Sequence, residues 1–251
     1  MEKKDRIVLL DFLRGVLLVW VMVDHFLYDA GFIYGDKLAY INSSLKQFGY
    51  NYYVGGYRNI AHPIVLFLFF IISGICTNFS KSATKGAIRL TIFWAVCTAV
   101  TGIFSLITNS KTFVVFGVLF VFMICGLINI IIQKTNSSKK VLLIVGVLLS
   151  LLGLFARYGV FSLGRGGFLF FFDEYGYGVS ADYFPLLPYL GYFLIGIFLG
   201  KTFYKQKTPY VKLNKKLQKG ILPITFIGKT SIWWYFASQV VFIIIFEIIT
   251  R

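Results

Sequence analysis

The chain has 251 residues, of which 58% are hydrophobic, 19% aromatic and only 14% charged, with a net charge of +15. A soluble domain is usually about 45–50% apolar and about 25% charged. The composition therefore argues against a soluble fold, and the placement of the basic residues, set out below, argues against a nucleic-acid partner.

The apolar residues come in long blocks. About 20 such residues cross the hydrocarbon layer as a helix, because backbone amides find no water there and a helix pairs them internally. Seven spans are predicted, at residues 7–28, 61–78, 87–108, 112–133, 141–156, 185–204 and 230–249. They make an all-α, polytopic transmembrane helical bundle and a single integral membrane domain over residues 1–251.

The first span follows Lys3, Lys4 and Arg6. It is too long for a signal h-region, and no small-residue cleavage site follows it, so it is expected to stay as a membrane helix. It also carries Asp11, Arg14, Asp24, His25 and, at its end, Asp29. Charges within a span are costly and usually mark a site or pathway. Asp11 and Arg14 have the i,i+3 spacing of an ion pair, which either locks helix packing or faces a ligand. At about 100° and 1.5 Å per residue, Arg14 and His25 fall about 20° apart on one face and about 16 Å apart along the axis. Asp24 adjoins His25 and Asp29 lies at i+4. A carboxylate that orients an imidazole is the usual support for a general base.

The loop at 31–60 is rich in Tyr, Gly and Asn. Its aromatic residues fit an interfacial belt or a surface that stacks on sugar rings. The second span opens with His62 before Pro63, which puts both histidines of the chain at one depth on the outer side. A single histidine there would read as an interfacial residue or a cap; two together strengthen a functional reading. Cys76, Cys97 and Cys125 fall inside spans and match neither metal-ligand nor disulfide spacing, so they read as small hydrophobes and no metal site is expected. The loop at 157–184 is rich in Gly and Phe and ends on Asp182, placed to cap the sixth span with Pro185 in its first turn. The last loop, from Lys201 to Lys229, is the most basic stretch. It reads as a solvated loop that attracts anionic lipid, or as a surface for the phosphates of a cytosolic cofactor.

Numbering loops by alternation from a cytoplasmic start puts 17 of the 25 basic residues inside and seven outside, with Arg14 within the first span. This is the positive-inside bias. It sets the N-terminus in the cytoplasm, implies the cytoplasmic membrane, and accounts for most of the net charge with the lipid bilayer as partner and no nucleic acid.

Several segments, taken in order, resemble the catalytic-domain family of heparan-alpha-glucosaminide N-acetyltransferase, in particular its short bacterial members. They are Arg6 with Leu10-Asp11-Phe12-Leu13-Arg14-Gly15; Val23-Asp24-His25-Phe26; the run from Leu68 to Ile75 with Ser73-Gly74; and Phe116-Gly117-Val118-Leu119. The rest are Asp182-Tyr183-Phe184-Pro185 with Pro188 and Gly196, then Ile227-Gly228-Lys229 with Ser231, Tyr235 and Gln239. The resemblance implies transfer of an acetyl group from cytosolic acetyl-CoA to an amine or hydroxyl of a sugar or glycan on the outer side, with a histidine as base or transient acyl carrier. It implies His25, His62 and Asp24 at the chemistry, Arg14, Asp11 and Lys229 at the acetyl-CoA, and Asp29, Asp182 and Tyr183 at the acceptor. Phe120 and Ser238 stand where many relatives carry histidine, and residues 31–61 lack the loop histidine of the animal enzymes, which leaves His25 and His62 for that role. Two other functions stay open on the residues alone: a small transporter of a polar or lipid-linked solute, and a non-catalytic membrane protein of the same fold. Homo-oligomerisation is also left open.

Overall fold

The computed structural model describes residues 7–108, 112–161, 164–204 and 214–250. Among the described residues the regular structure is entirely helical. The N-terminal Lys3, Lys4 and Arg6 lie outside them, as do Lys111, Lys205, Lys207, Lys212 and Arg251 of the charge pattern.

Five helical segments are long and apolar enough to cross a membrane: Val8–Ile33, Gly56–Thr77, Ala83–Ile107, Lys139–Arg157 and Ser231–Ile249. Two shorter apolar helices, Val118–Lys134 and Tyr189–Phe203, fall at the fourth and sixth predicted spans. The exposed side chains are apolar along whole helices, as with Ile88, Ile92, Val96, Val100 and Ile103. A surface of this kind suits hydrocarbon and not water. The chain is a polytopic all-α membrane protein.

Two compact units make up the chain, residues 1–69 with 208–251, and residues 70–207. In the first, α1 (Val8–Tyr28) passes into one π turn, Asp29–Ile33, and then into α2 (Gly35–Ile41) and α3 (Ser43–Val54). The Tyr-rich stretch expected as loop is therefore mostly helical. Asn42 starts α3 by accepting the Leu45 amide at 3.0 Å, which satisfies one of the orphan donors of a helix start. The helix α4 (Gly56–Thr77) begins in this unit. A small core gathers Ala30, Tyr34, Leu38 and Phe246, with Phe26 and Phe242 against it. Phe246 stacks on both Phe26 (5.1 Å) and Tyr34 (5.0 Å), which pins the C-terminal half of the last helix to the end of α1.

The second unit contains α5 (Ala83–Thr108), α6 (Val118–Lys134), α7 (Lys139–Arg157), α8 (Glu174–Val179) and α9 (Tyr189–Phe203). Here two expectations need correcting. The fourth span was predicted from residue 112, yet 112–117 is not helical. It lies beside 180–184, with the Ala181 amide donating to the Phe113 carbonyl (2.8 Å) and the Phe184 amide to the Phe116 carbonyl (2.7 Å). The sixth span was predicted from 185 with Asp182 as its cap. The helix instead starts at Tyr189, after Pro188 and with no side-chain cap. Pro185 and Pro188 lack amide protons, and the amides of Leu186 and Leu187 are taken by the Leu169 and Phe170 carbonyls.

The remaining elements return to the first unit: α10 (Lys215–Gly220), α11 (Leu222–Lys229) and α12 (Ser231–Ile249). The basic stretch expected as a solvated loop is thus helical over about its second half, Lys215–Gly220 and Leu222–Lys229. Leu222, Ile224, Phe226 and Ile227 make α11 apolar enough to pack, and Pro223 sits in its first turn, where a missing amide costs nothing. It lies antiparallel on α1. A Cβ on Gly15 would overlap the Ile224 carbonyl, and one on Gly228 would overlap the Asp11 carbonyl and stand 2.8 Å from the Gly15 nitrogen. Only glycine at both positions allows the two backbones to touch.

Candidate active site

Arg14 and His25 lie at the two ends of one face of α1. At the lower end the Arg14 guanidinium donates to the Asp11 carboxylate, Nη2 to Oδ1, at 3.2 Å. Both side chains are largely buried, Asp11 at 4% exposure and Arg14 at 18%. A buried arginine needs a counter-charge, and Asp11, three residues earlier, supplies one from the same helix. The contact of Gly228 on Asp11 places the following Lys229 at this end too. There α12 begins at Ser231, with Thr230 turned back to donate its hydroxyl to the Phe226 carbonyl (2.8 Å). The Asp11–Arg14 pair, the Gly228 contact and the start of the 19-residue α12 thus follow one another along the chain at this end, and a helix start favours an anion.

At the upper end the His25 ring lies edge-on to Tyr235 of α12, centroids 5.9 Å apart at 75°. Gln239 is one turn further along α12 on the same face as Tyr235, and its Nε2 is buried with no hydrogen-bond partner. Beside it, Ser238 is buried and donates to the Tyr235 carbonyl (2.8 Å).

Asp24 does not turn to His25. Its Oδ1 accepts from Arg58 Nε (2.8 Å) and from the Tyr52 hydroxyl (3.1 Å), and its Oδ2 accepts from Arg58 Nη2 (3.1 Å) and the Tyr53 hydroxyl (3.4 Å). Arg58 also donates to the Tyr53 hydroxyl (2.9 Å) and sits 3.8 Å over its ring. The fork of the guanidinium matches both carboxylate oxygens, and the group ties α1 to α3 and α4. Burial, then the Asp24 charge, push the Tyr52 phenol well above its ordinary pKa. Adjacent residues on a helix point about 100° apart, which is why Asp24 and His25 have different neighbours.

His62 lies beside Trp20, ring centroids 6.0 Å apart. Trp20 precedes His25 by five residues, or about 7.5 Å and about 140° around α1. The two rings therefore address different faces of α1. Asp29 starts the π turn and is half-buried.

Asp182 and Tyr183 belong to the other unit. The Asp182 carboxylate rests on Gly117 at the start of α6, where a Cβ would meet its Oδ2 at 2.9 Å. The Tyr183 hydroxyl lies 2.5 Å from both the Phe168 and Phe171 carbonyls, its ring fills the space a Gly176 side chain would need, and burial raises its pKa. Tyr183 thus holds its own loop together, and Asp182 sits against the start of α6.

Arg58, Tyr52, Tyr53, Tyr235 and Gln239 were not among the expected site residues. Tyr235 and Gln239 carried a usable signal, since their i,i+4 spacing puts two polar groups on one face of an otherwise apolar helix. The tyrosines and Arg58 carried none beyond an aromatic-rich loop. Among the described residues no group of three or more His, Cys, Asp or Glu is gathered as a metal would need.

The family model for the heparan-alpha-glucosaminide N-acetyltransferase catalytic domain matches residues 6–240. The chain belongs to this family. Comparison with curated proteins and with solved structures gave no match. For a member of the heparan-alpha-glucosaminide N-acetyltransferase family, a membrane acetyltransferase-like function is the coarse expectation, and Asp11, Arg14, His25, Lys229, Tyr235 and Gln239 all lie within the matched residues.

Proposed function

We propose that this protein carries the acetyl group of cytosolic acetyl-CoA to an amine or hydroxyl of a sugar acceptor on the outer side of the cytoplasmic membrane, with its own N-terminus inside. The observation that supports this reading is the single face of α1. It holds the Asp11–Arg14 pair at one end and His25 eleven residues later, about 16 Å along the axis, and α11 and α12 meet the two ends through Gly228 and Tyr235.

The residues at the lower end fit the phosphates of CoA. Arg14 and Lys229 supply cations, the start of α12 supplies oriented amides, and Asp11 keeps the guanidinium in place. Acetyl-CoA, when bound there, supplies an activated thioester. His25 takes the proton of the attacking amine or hydroxyl, or carries the acetyl group itself. Its orientation comes from Tyr235. Asp24 acts at a distance, by fixing the end of α1 through Arg58. His62, on another face, is assigned a secondary role, and Asp29 one near the acceptor.

The test is transfer of labelled acetyl from acetyl-CoA to glucosamine, used as the probe acceptor, by protein in nanodiscs. General-base catalysis contributes about 10²–10⁴-fold, so His25→Ala should lower transfer by that factor with acetyl-CoA binding retained, while His62→Ala should lower it far less. Undiminished transfer by the His25 variant would remove that residue from the chemistry.

A further inference from the structure

We propose that Gln239 is the hydrogen-bond donor that receives the carbonyl oxygen of the acetyl group beside His25, a role that rests on the acetyl-transfer reading above. A carboxamide nitrogen offers two N–H donors. Leaving a buried donor unmade costs free energy, and within a membrane span no bulk water relieves it. Gln239 Nε2 is in this state: buried, and with no partner from the chain. Its neighbours are not. Ser238 is satisfied by the Tyr235 carbonyl, the next polar group along α12, Glu247, accepts from the Tyr34 hydroxyl at 3.2 Å, and Thr250, just past its end, donates to the Phe246 carbonyl at 2.8 Å. The one buried donor of α12 without a protein acceptor therefore lies one turn from the tyrosine that touches His25, on the same face.

A buried amide donor one helical turn from the ring that packs on the His25 imidazole suits a small carbonyl compound, and an acetyl thioester has the right acceptor. The acceptor nitrogen or oxygen adds to the carbonyl carbon while its proton passes to the His25 imidazole, and the carbonyl π pair moves onto oxygen. The C=O bond then re-forms, the C–S bond breaks with its pair leaving on sulfur, and the imidazolium proton goes to the thiolate, giving free CoA. Negative charge on the oxygen is greatest between these steps, so a fixed donor there lowers the barrier more than it tightens binding.

The experiment is isotope-edited infrared spectroscopy of acetyl-CoA labelled with ¹³C at the carbonyl, bound to the protein in nanodiscs, together with steady-state transfer to glucosamine. The wild-type protein should hold the carbonyl band at lower wavenumber than an unbonded thioester in an aprotic solvent. Gln239→Leu and the near-isosteric Gln239→Met should return it to the unbonded position. They should lower kcat about 10²–10³-fold, the loss typical of one oxyanion donor, with the acetyl-CoA Kd changed less than about threefold. A wild-type band at the unbonded position overturns the role of Gln239 and needs no variant to fold. A kcat within about fivefold of wild type in either variant overturns it as well. Absence of acetyl-CoA binding to the wild type would instead overturn the acetyl-transfer reading on which it depends.

Discussion

Replacing Gly228 by alanine tests the contact that builds the lower end of the site. The new Cβ would overlap the Asp11 carbonyl oxygen, stand 2.8 Å from the Asp11 carbonyl carbon and 2.8 Å from the Gly15 nitrogen. All three atoms belong to the backbone of α1, so no side chain can rotate away, and α11 has to lift. Overpacking of this kind costs about 1–3 kcal/mol, here at the upper end because a helix backbone yields least. Alanine returns up to about 1 kcal/mol through its helix propensity. The net loss is about 2 kcal/mol, or about 4–8 °C in Tm for a chain of this length. The assay is thermal unfolding in detergent, with Gly86→Ala as the comparison, since nothing lies within 4 Å of a Cβ there and that variant should be neutral or slightly more stable. If G228A and G86A melt within about 1 °C of each other, α11 does not touch α1 in the way the structure describes.

Removing Arg58 (R58M) leaves the Asp24 carboxylate, 6% exposed, without its counter-charge, and the loss should be about 3–5 kcal/mol. The double variant D24N/R58M should recover most of it, and unfolding curves in which R58M matches wild type would contradict the tie between α1 and α4. Tyr183→Phe loses the hydroxyl that bonds the Phe168 and Phe171 carbonyls, worth about 1 kcal/mol, so limited proteolysis should cut within 168–176 faster than in wild type; equal rates would count against that anchoring. Burial, then the charge of Glu247, raise the Tyr34 phenol from 10.0 to about 12. Because the folded value is the higher one, its contribution is intact below pH 10 and is lost as pH climbs through 12. Alkaline unfolding of Y34F should therefore be less steep over that window than wild type, and identical profiles would refute the assignment.

The seven apolar segments were legible because hydropathy reports burial in lipid directly, residue by residue. Their ends were less so, for two opposite reasons. Arg58–Asn59 and Ala83–Gly86 are polar or small yet helical, since a helix continues past the apolar block wherever its amides find partners in the next turn. Residues 112–117 and 185–188 are apolar enough to join a span yet not helical, because their backbones bond other segments or lack donors at proline. Within α1, the 100° period was enough to place Arg14 and His25 on one face and to pair Asp11 with Arg14. It was not enough to say what each face meets. Arg58 reaches Asp24 across 34 residues of sequence, and Tyr235 reaches His25 from the other end of the chain. Such partners depend on the rotation of α1 about its axis, which no pattern within α1 specifies.

The two carboxylates of α1 show how that rotation sorts structure from chemistry. Asp11 is compensated by its own helix, three residues away, so its pairing would survive any rotation and tells nothing of function by itself. Asp24 is compensated from α3 and α4, and its four hydrogen bonds exist only at one rotation. Fixing Asp24 in this way turns the next residue, about 100° further round, toward α12. Asp24, expected beside His25 in the sequence, is bonded to α3 and α4, while the imidazole one residue on faces α12, the helix that carries Gln239.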